Sequence, residues 1–142
     1  EQRVALMAID YAALAKGQKV SSQIYLLDLE TVSQYIDAVG SSRERWAISG
    51  DNESGMVPPM AIAALSLRGV VNDLAIPGGT LHTGQELEFI SPVSVGETLE
   101  CNAIILQNSV RSEWRFLVVN ISVLCAKGRK VMTGKSTIML PV

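Results

Sequence analysis

The chain carries one histidine, His82, in the run Leu81-His82-Thr83-Gly84-Gln85-Glu86. Imidazole titrates near neutral pH, so His82 is the natural candidate for moving a proton or touching a polar ligand. Its plainer role is a strand histidine hydrogen-bonded beside the Gly78-Gly79 turn. Gly84 leaves room for a ligand or a backbone to approach closely. Simple alternation puts His82, Gly84, Glu86 and Glu88 on one face, and Leu81, Thr83, Gln85, Leu87 and Phe89 on the other. If the second face is core, Gln85 needs a hydrogen-bond partner, and a tie to a helix beneath would supply it. A second group surrounds Trp46 in the polar stretch from Ser41 to Gly55. Trp46 suits a loop anchor or a lid over a site. Arg43 or Arg45 has the planar guanidinium that pairs with phosphate. Ser41, Arg43, Glu44 and Arg45 otherwise read as surface residues.

Other chemistries find no footing. One histidine and two separated cysteines give no metal-ligand spacing. There is no glycine-rich phosphate loop and no nucleophile elbow. Cys101 and Cys125 each lie in a strand-like run and read as buried free thiols, which fits a reducing cytoplasm. A net charge of −2 gives no electrostatic reason to expect nucleic acid or an anionic membrane as partner. The apolar run Val4 to Leu14 is broken by Asp10 and lacks the small-residue end of a secretory signal. At 142 residues, 48% apolar and 18% charged, residues 1–142 are expected to form one globular domain.

The elements that position these groups centre on Val57 to Leu74, VPPMAIAALSLRGVVNDL. Pro is tolerated in a first helical turn, and apolar residues on nearly every side mark a buried helix. Arg68, Asn72 and Asp73 interrupt it too often for a membrane span. Ala61, Ala63, Ala64, Ser66 and Gly69 would let a sheet approach closely. Before it, Glu1 to Lys16 reads as a helix stopped at Gly17, and Val20 to Leu27 as a short strand. Asp28 then caps a helix over Leu29 to Val39, ended by Gly40. After the Ile76-Pro77-Gly78-Gly79 turn the period becomes two. Strands are expected over Leu81–Ile90, Thr98–Gln107, Trp114–Ala126 and Val131–Leu140, joined as an antiparallel meander.

This order resembles the hot-dog fold, an α+β unit whose long antiparallel sheet wraps a central helix. Tyr25-Leu26-Leu27-Asp28-Leu29-Glu30 with Tyr35-Ile36-Asp37-Ala38-Val39-Gly40 resembles the opening of MaoC-like dehydratases. Val57-Pro58-Pro59 before the helix is similar to the non-catalytic N-terminal half of double-hot-dog members. So are Leu81 to Glu86, Ser91-Pro92-Val93-Ser94-Val95-Gly96-Glu97-Thr98-Leu99 and Gly128-Arg129-Lys130-Val131-Met132-Thr133-Gly134. The similarity runs from Gly17 to Leu140.

The resemblance implies acyl-thioester chemistry, mostly (R)-specific enoyl-CoA hydration, a lyase reaction of fatty acid metabolism. Its signature is an Asp after the helix-ending Gly and a His five residues later; these positions fall on Ser41 and Trp46. A hydroxyl and an indole cannot serve as general base and acid near neutral pH. The implied ligand is an acyl-CoA or an acyl carrier protein thioester, with no other cofactor. The implied role is a substrate-binding subunit, as a homodimer or as a heteromer with a catalytic hot-dog chain. Three alternatives remain open. One is an active hydratase with a relocated base such as His82. Another is a structural subunit without ligand, and the third is a hot-dog thioesterase using Asp51 or Glu53. The prolines at 58 and 59 each remove an N–H donor, which counts against an oxyanion site at the helix start. Sheet edges need covering, so at least a dimer is expected.

Overall fold

In the computed structural model, which describes residues 9–41, 44–46, 48 and 55–142, the helix that the proline pair opens is α2, Pro59–Asp73. Ahead of it come β1, Lys19–Leu26, and α1, Leu29–Ala38; after it come β2, Leu81–Phe89, β3, Thr98–Arg111, β4, Trp114–Cys125, and β5, Lys130–Pro141. Five antiparallel strands form one sheet in the order β1-β3-β4-β5-β2. The three long strands β3, β4 and β5 form the expected meander. β2 does not join it next to β3, as a continuous meander would require, but pairs with β5 at the far edge. β1 forms the other edge, beside β3.

The core lies between the sheet and α2. Every second residue of β4 is buried, from Leu117 through Val119, Ile121 and Val123 to Cys125. α2 buries Ala61, Ile62, Ala63, Ser66, Gly69 and Val70 and lies over β1 and β3. The small residues set the approach: a Cβ on Gly69 would stand 3.0 Å from both Gln23 Cγ and Tyr25 Oη. The helix is not buried all round. Met60, at 53% exposure, and Val71, at 38%, follow one stripe with Ala64 and Leu67 that meets no other described element fully.

α1 begins as the sequence predicts, with the Asp28 carboxylate accepting from Thr31 N–H at 2.9 Å. That hydrogen bond holds the Asp28 carboxyl below its ordinary pKa. The predicted N-terminal helix is not found in its described part. Tyr11–Ala13 is a single 3-10 turn capped by Asp10, followed by extended chain. Its carbonyls are taken from outside: Asn108 Nδ2 donates to Tyr11 O at 2.7 Å and to Leu14 O at 2.9 Å. The Tyr11 hydroxyl in turn donates to Leu74 O at 2.7 Å. Tertiary hydrogen bonds thus override a favourable local propensity.

Candidate functional site

Ser41 is placed by the end of α1. Gly40 sits at φ 73, Gly40 N–H bonds Asp37 O at 3.2 Å, and Ser41 N–H bonds Ile36 O at 3.0 Å. This pair of bonds is a Schellman stop, which requires a residue that tolerates left-handed backbone at Gly40. One 3-10 turn later, Glu44–Trp46, the indole comes back over the helix end. Trp46 Nε1–H donates to Ser41 Oγ at 3.3 Å. Trp46 O accepts from Met56 N–H at 2.8 Å, and Val57 N–H bonds Val93 O at 2.8 Å. The ring is therefore fixed at both its polar atom and its backbone.

The indole forms one wall of a cleft of about 250 Å³, closed by Met56, Val57, Pro59, Ile62, Phe89 and Pro92. The wall is apolar, and three of its members stand partly in the open: Met56 at 44%, Phe89 at 40% and Ile90 at 47%. The cleft combines the start of α2, the end of β2 and the turn after it. Two of the N–H groups that a helix start would offer to an oxyanion are unavailable here. Pro59 has no N–H, and Ala61 N–H already bonds Pro58 O at 2.9 Å. Chemically the cleft can hold an apolar chain and shield it from water. Ser41 and Trp46 bring it no group that titrates near neutral pH.

His82 lies elsewhere. It borders a smaller hollow of about 210 Å³ with Leu67, Val71, Ile76 and Ile138, at the other end of α2. Seven residue steps of strand separate it from Phe89, at most roughly 23 Å at 3.3 Å per residue. The structure does not bring His82 and Trp46 into one site. The simple alternation of β2 also fails at this point. A bulge between His82 and Gly84 puts His82 opposite Ile138 and Gln85 opposite Ser136, and both partners are buried. His82 and Gln85 therefore share the inner face with Leu87 and Phe89, while Gly84 stands opposite Thr137 on the outer face. Gln85 is exposed and makes no side-chain hydrogen bond among the described residues, so it does not tie β2 to α2. Arg43, Asp51 and Glu53 lie outside the described residues.

Met56, Ile62, Phe89 and Pro92 line the cleft without a motif that marks them in the sequence. The available signal was the proline-rich start of α2 followed, after one strand, by the apolar Phe89-Ile90 pair and a further proline. Both cysteines are free and buried, as expected. Desolvation pushes the Cys101 thiol up to about 12, whereas the Lys127 backbone N–H, with Arg129, draws Cys125 down. Among the described residues no three His, Cys, Asp or Glu gather as a metal site, and no helix is long and apolar enough to cross a membrane.

A scan of protein-family models and a search of curated proteins find no match to this chain. Solved structures do match. The (R)-hydratase PhaJ1 of Pseudomonas aeruginosa superposes with TM-score 0.74 at 22% identity, covering 94% of this chain and 86% of that one. A MaoC-like dehydratase from Rhodospirillum rubrum gives TM-score 0.70 at 16% identity, over 92% and 94% of the two chains. The HadBC (3R-hydroxyacyl-ACP dehydratase) complex of Mycobacterium tuberculosis gives 0.69 at 16% identity, over 88% and 96%. The chain thus has the hot-dog fold of the MaoC-like dehydratases and (R)-hydratases, as the motif order implied.

Proposed function

We propose that this chain is the substrate-holding member of a hot-dog hydratase or dehydratase. It binds an acyl thioester, carried on coenzyme A or acyl carrier protein, with the acyl chain in the cleft beside Trp46. The acid–base pair belongs to a second hot-dog chain. One observation supports this reading: Trp46, whose indole N–H bonds Ser41, lines an apolar cleft, and the motif spacing puts Ser41 and Trp46 where the resembled dehydratases would carry their Asp and His. The indole N–H is committed to Ser41 and cannot relay protons to a bound water. An active enzyme built on His82 is disfavoured by the distance between His82 and the cleft. Solved neighbours such as the HadBC complex are themselves heteromeric, which supports a partner chain.

The unfinished side of the fold supports the same reading. The stripe Met60, Ala64, Leu67 and Val71 on α2 and the exposed Leu81, Phe89 and Ile90 at the ends of β2 are apolar groups that a second unit would cover. The reading is tested by incubating the purified chain with crotonyl-CoA and longer enoyl-CoAs, following loss of the enoyl-thioester absorbance beside calorimetric titration. Binding without turnover is expected. Turnover that His82→Ala abolishes would make the chain an enzyme with a relocated base. Absence of any binding would leave a structural subunit.

A further inference from the structure

The β2 edge carries its own specification for what can pair with it. Its inner face presents Gln85, Leu87 and Phe89, in register with the buried Ser136, Gly134 and Met132. Its outer face presents Glu86 and Glu88, in register with Lys135 and Thr133. Glu86 has a nearby cation, Lys135 Nζ at 3.7 Å, but its side chain remains 79% exposed. Glu88 faces Thr133, with no ion pair among the described residues. The open side of the strand thus presents Leu87 and Phe89 beside the polar Gln85 and His82 on one face, and two carboxylates on the other.

A copy of this chain fits that edge poorly. Two-fold antiparallel pairing must join inner face to inner face, so it centres on one residue of β2. Centred on Glu86, it sets Glu86 against Glu86 of the copy. Centred on Leu87, it sets Glu86 against Glu88 twice. Centred on Glu88, it sets Glu88 against Glu88. A centre at Gln85 runs both strands into the bulge at His82–Gly84, past which the faces no longer match. Like charges directly opposite each other oppose strand pairing.

We infer that β2 pairs with a hot-dog chain of different sequence, whose edge strand sets Lys or Arg across from Glu86 and Glu88 and apolar residues across from Leu87 and Phe89. The inference rests on the reading that a second hot-dog chain completes the site. Its test reads assembly in the absence of any thioester, so failed acyl binding would sink that reading and leave this one standing.

Sedimentation velocity of the wild-type chain and of Glu88→Lys decides it. In the variant, pairing centred on Leu87 sets the introduced ammonium group against Glu86 twice, so it self-associates at least about tenfold more tightly than wild type. Added salt strengthens wild-type self-association and weakens that of the variant. The double variant Glu86→Lys/Glu88→Lys serves as the probe for a basic strand: mixed with wild type, it forms a heterodimer tighter than either chain forms alone. Every substitution is on an exposed edge, and circular dichroism verifies that each variant is folded. A wild-type homodimer as tight as that of Glu88→Lys, or tighter than the mixed pair, overturns the inference.

Discussion

At the β1 edge, Ser21 Oγ donates to Asp73 at 2.7 Å and Gln23 Nε2 donates to both Asp73 oxygens at 2.9 Å. The strand's inner residues Ser21, Gln23 and Tyr25 are protected by α2, and its outer ones are exposed, in regular alternation. At the β2 edge eight of nine residues are exposed and only Leu87 is half-buried. No alternation survives there, because α2 borders the inner face only across open clefts, at His82 and at Phe89. The same sheet therefore ends once tied to its own helix by side-chain hydrogen bonds and once beside that helix across open clefts. The open end is also where the cleft beside Trp46 runs out, at Phe89 and Ile90. The fold thus finishes one edge with three side-chain hydrogen bonds and leaves the other largely exposed.

Glycine substitutions should break this contrast most sharply. Gly69→Val drives a branched side chain into Gln23 and Tyr25 and should lower stability by about 3 kcal/mol. Gly84→Ala on β2, where a Cβ meets only Thr137 at 3.9 Å, should stay within about 0.5 kcal/mol. Urea unfolding of the two variants checks the pair, and equal losses would erase the distinction between the edges. Next comes Asp73→Ala, which leaves Ser21 Oγ and Gln23 Nε2 without their acceptor and should cost about 2 kcal/mol. The matching change on the open side, Glu86→Ala, removes only an exposed 3.7 Å pair and should cost close to nothing.

Phe89→Asp should leave the fold of the isolated chain nearly intact, since the ring is already 40% exposed. Long-chain acyl-CoA binding should weaken about tenfold, as a charge enters the apolar wall. Calorimetry on the folded variant separates the two effects. The smallest effect is read in thiol chemistry. Cys125, with its thiol drawn down from the ordinary 9.0, should react first with a disulfide reagent, and its rate should level off at lower pH than a free thiol's. Cys101 lies in register with Gln23 of β1, and its thiol, pushed up to about 12, should react only when that edge opens. Asp73→Ala should therefore speed labelling of Cys101 and leave Cys125 unchanged.

Much of this architecture was legible in the chain. The Pro58-Pro59 start, the dense apolar pattern of α2, the Asp28 cap and the period-two runs of β3, β4 and β5 are local signals, and local physics acted on them. Three features were not legible because they depend on partners distant in sequence. The bulge between His82 and Gly84 inserts one residue into the ladder and turns His82 to the other face, which a period-two count cannot register. The pairing of β2 with β5 rather than β3 is a choice of sheet order between strands far apart in the chain. The turn at Tyr11–Ala13 replaces a helix because Asn108, far along the chain, takes its carbonyls. For the site, the spacing from Gly40 to Ser41 and Trp46 could be read directly. The bond between the two side chains, and the gap from them to His82, could not.

The proposed role requires that the cleft beside Trp46 hold an acyl chain without acting on it. The chain has two tryptophans, Trp46 and Trp114, so Trp114→Phe leaves the cleft indole as the only such emitter. Decanoyl-CoA and trans-2-decenoyl-CoA titrated into that variant should each produce a saturable shift in Trp46 emission, with no loss of the enoyl absorbance over hours. An emission spectrum indifferent to both thioesters, or steady loss of the enoyl band catalysed by this chain alone, would contradict it.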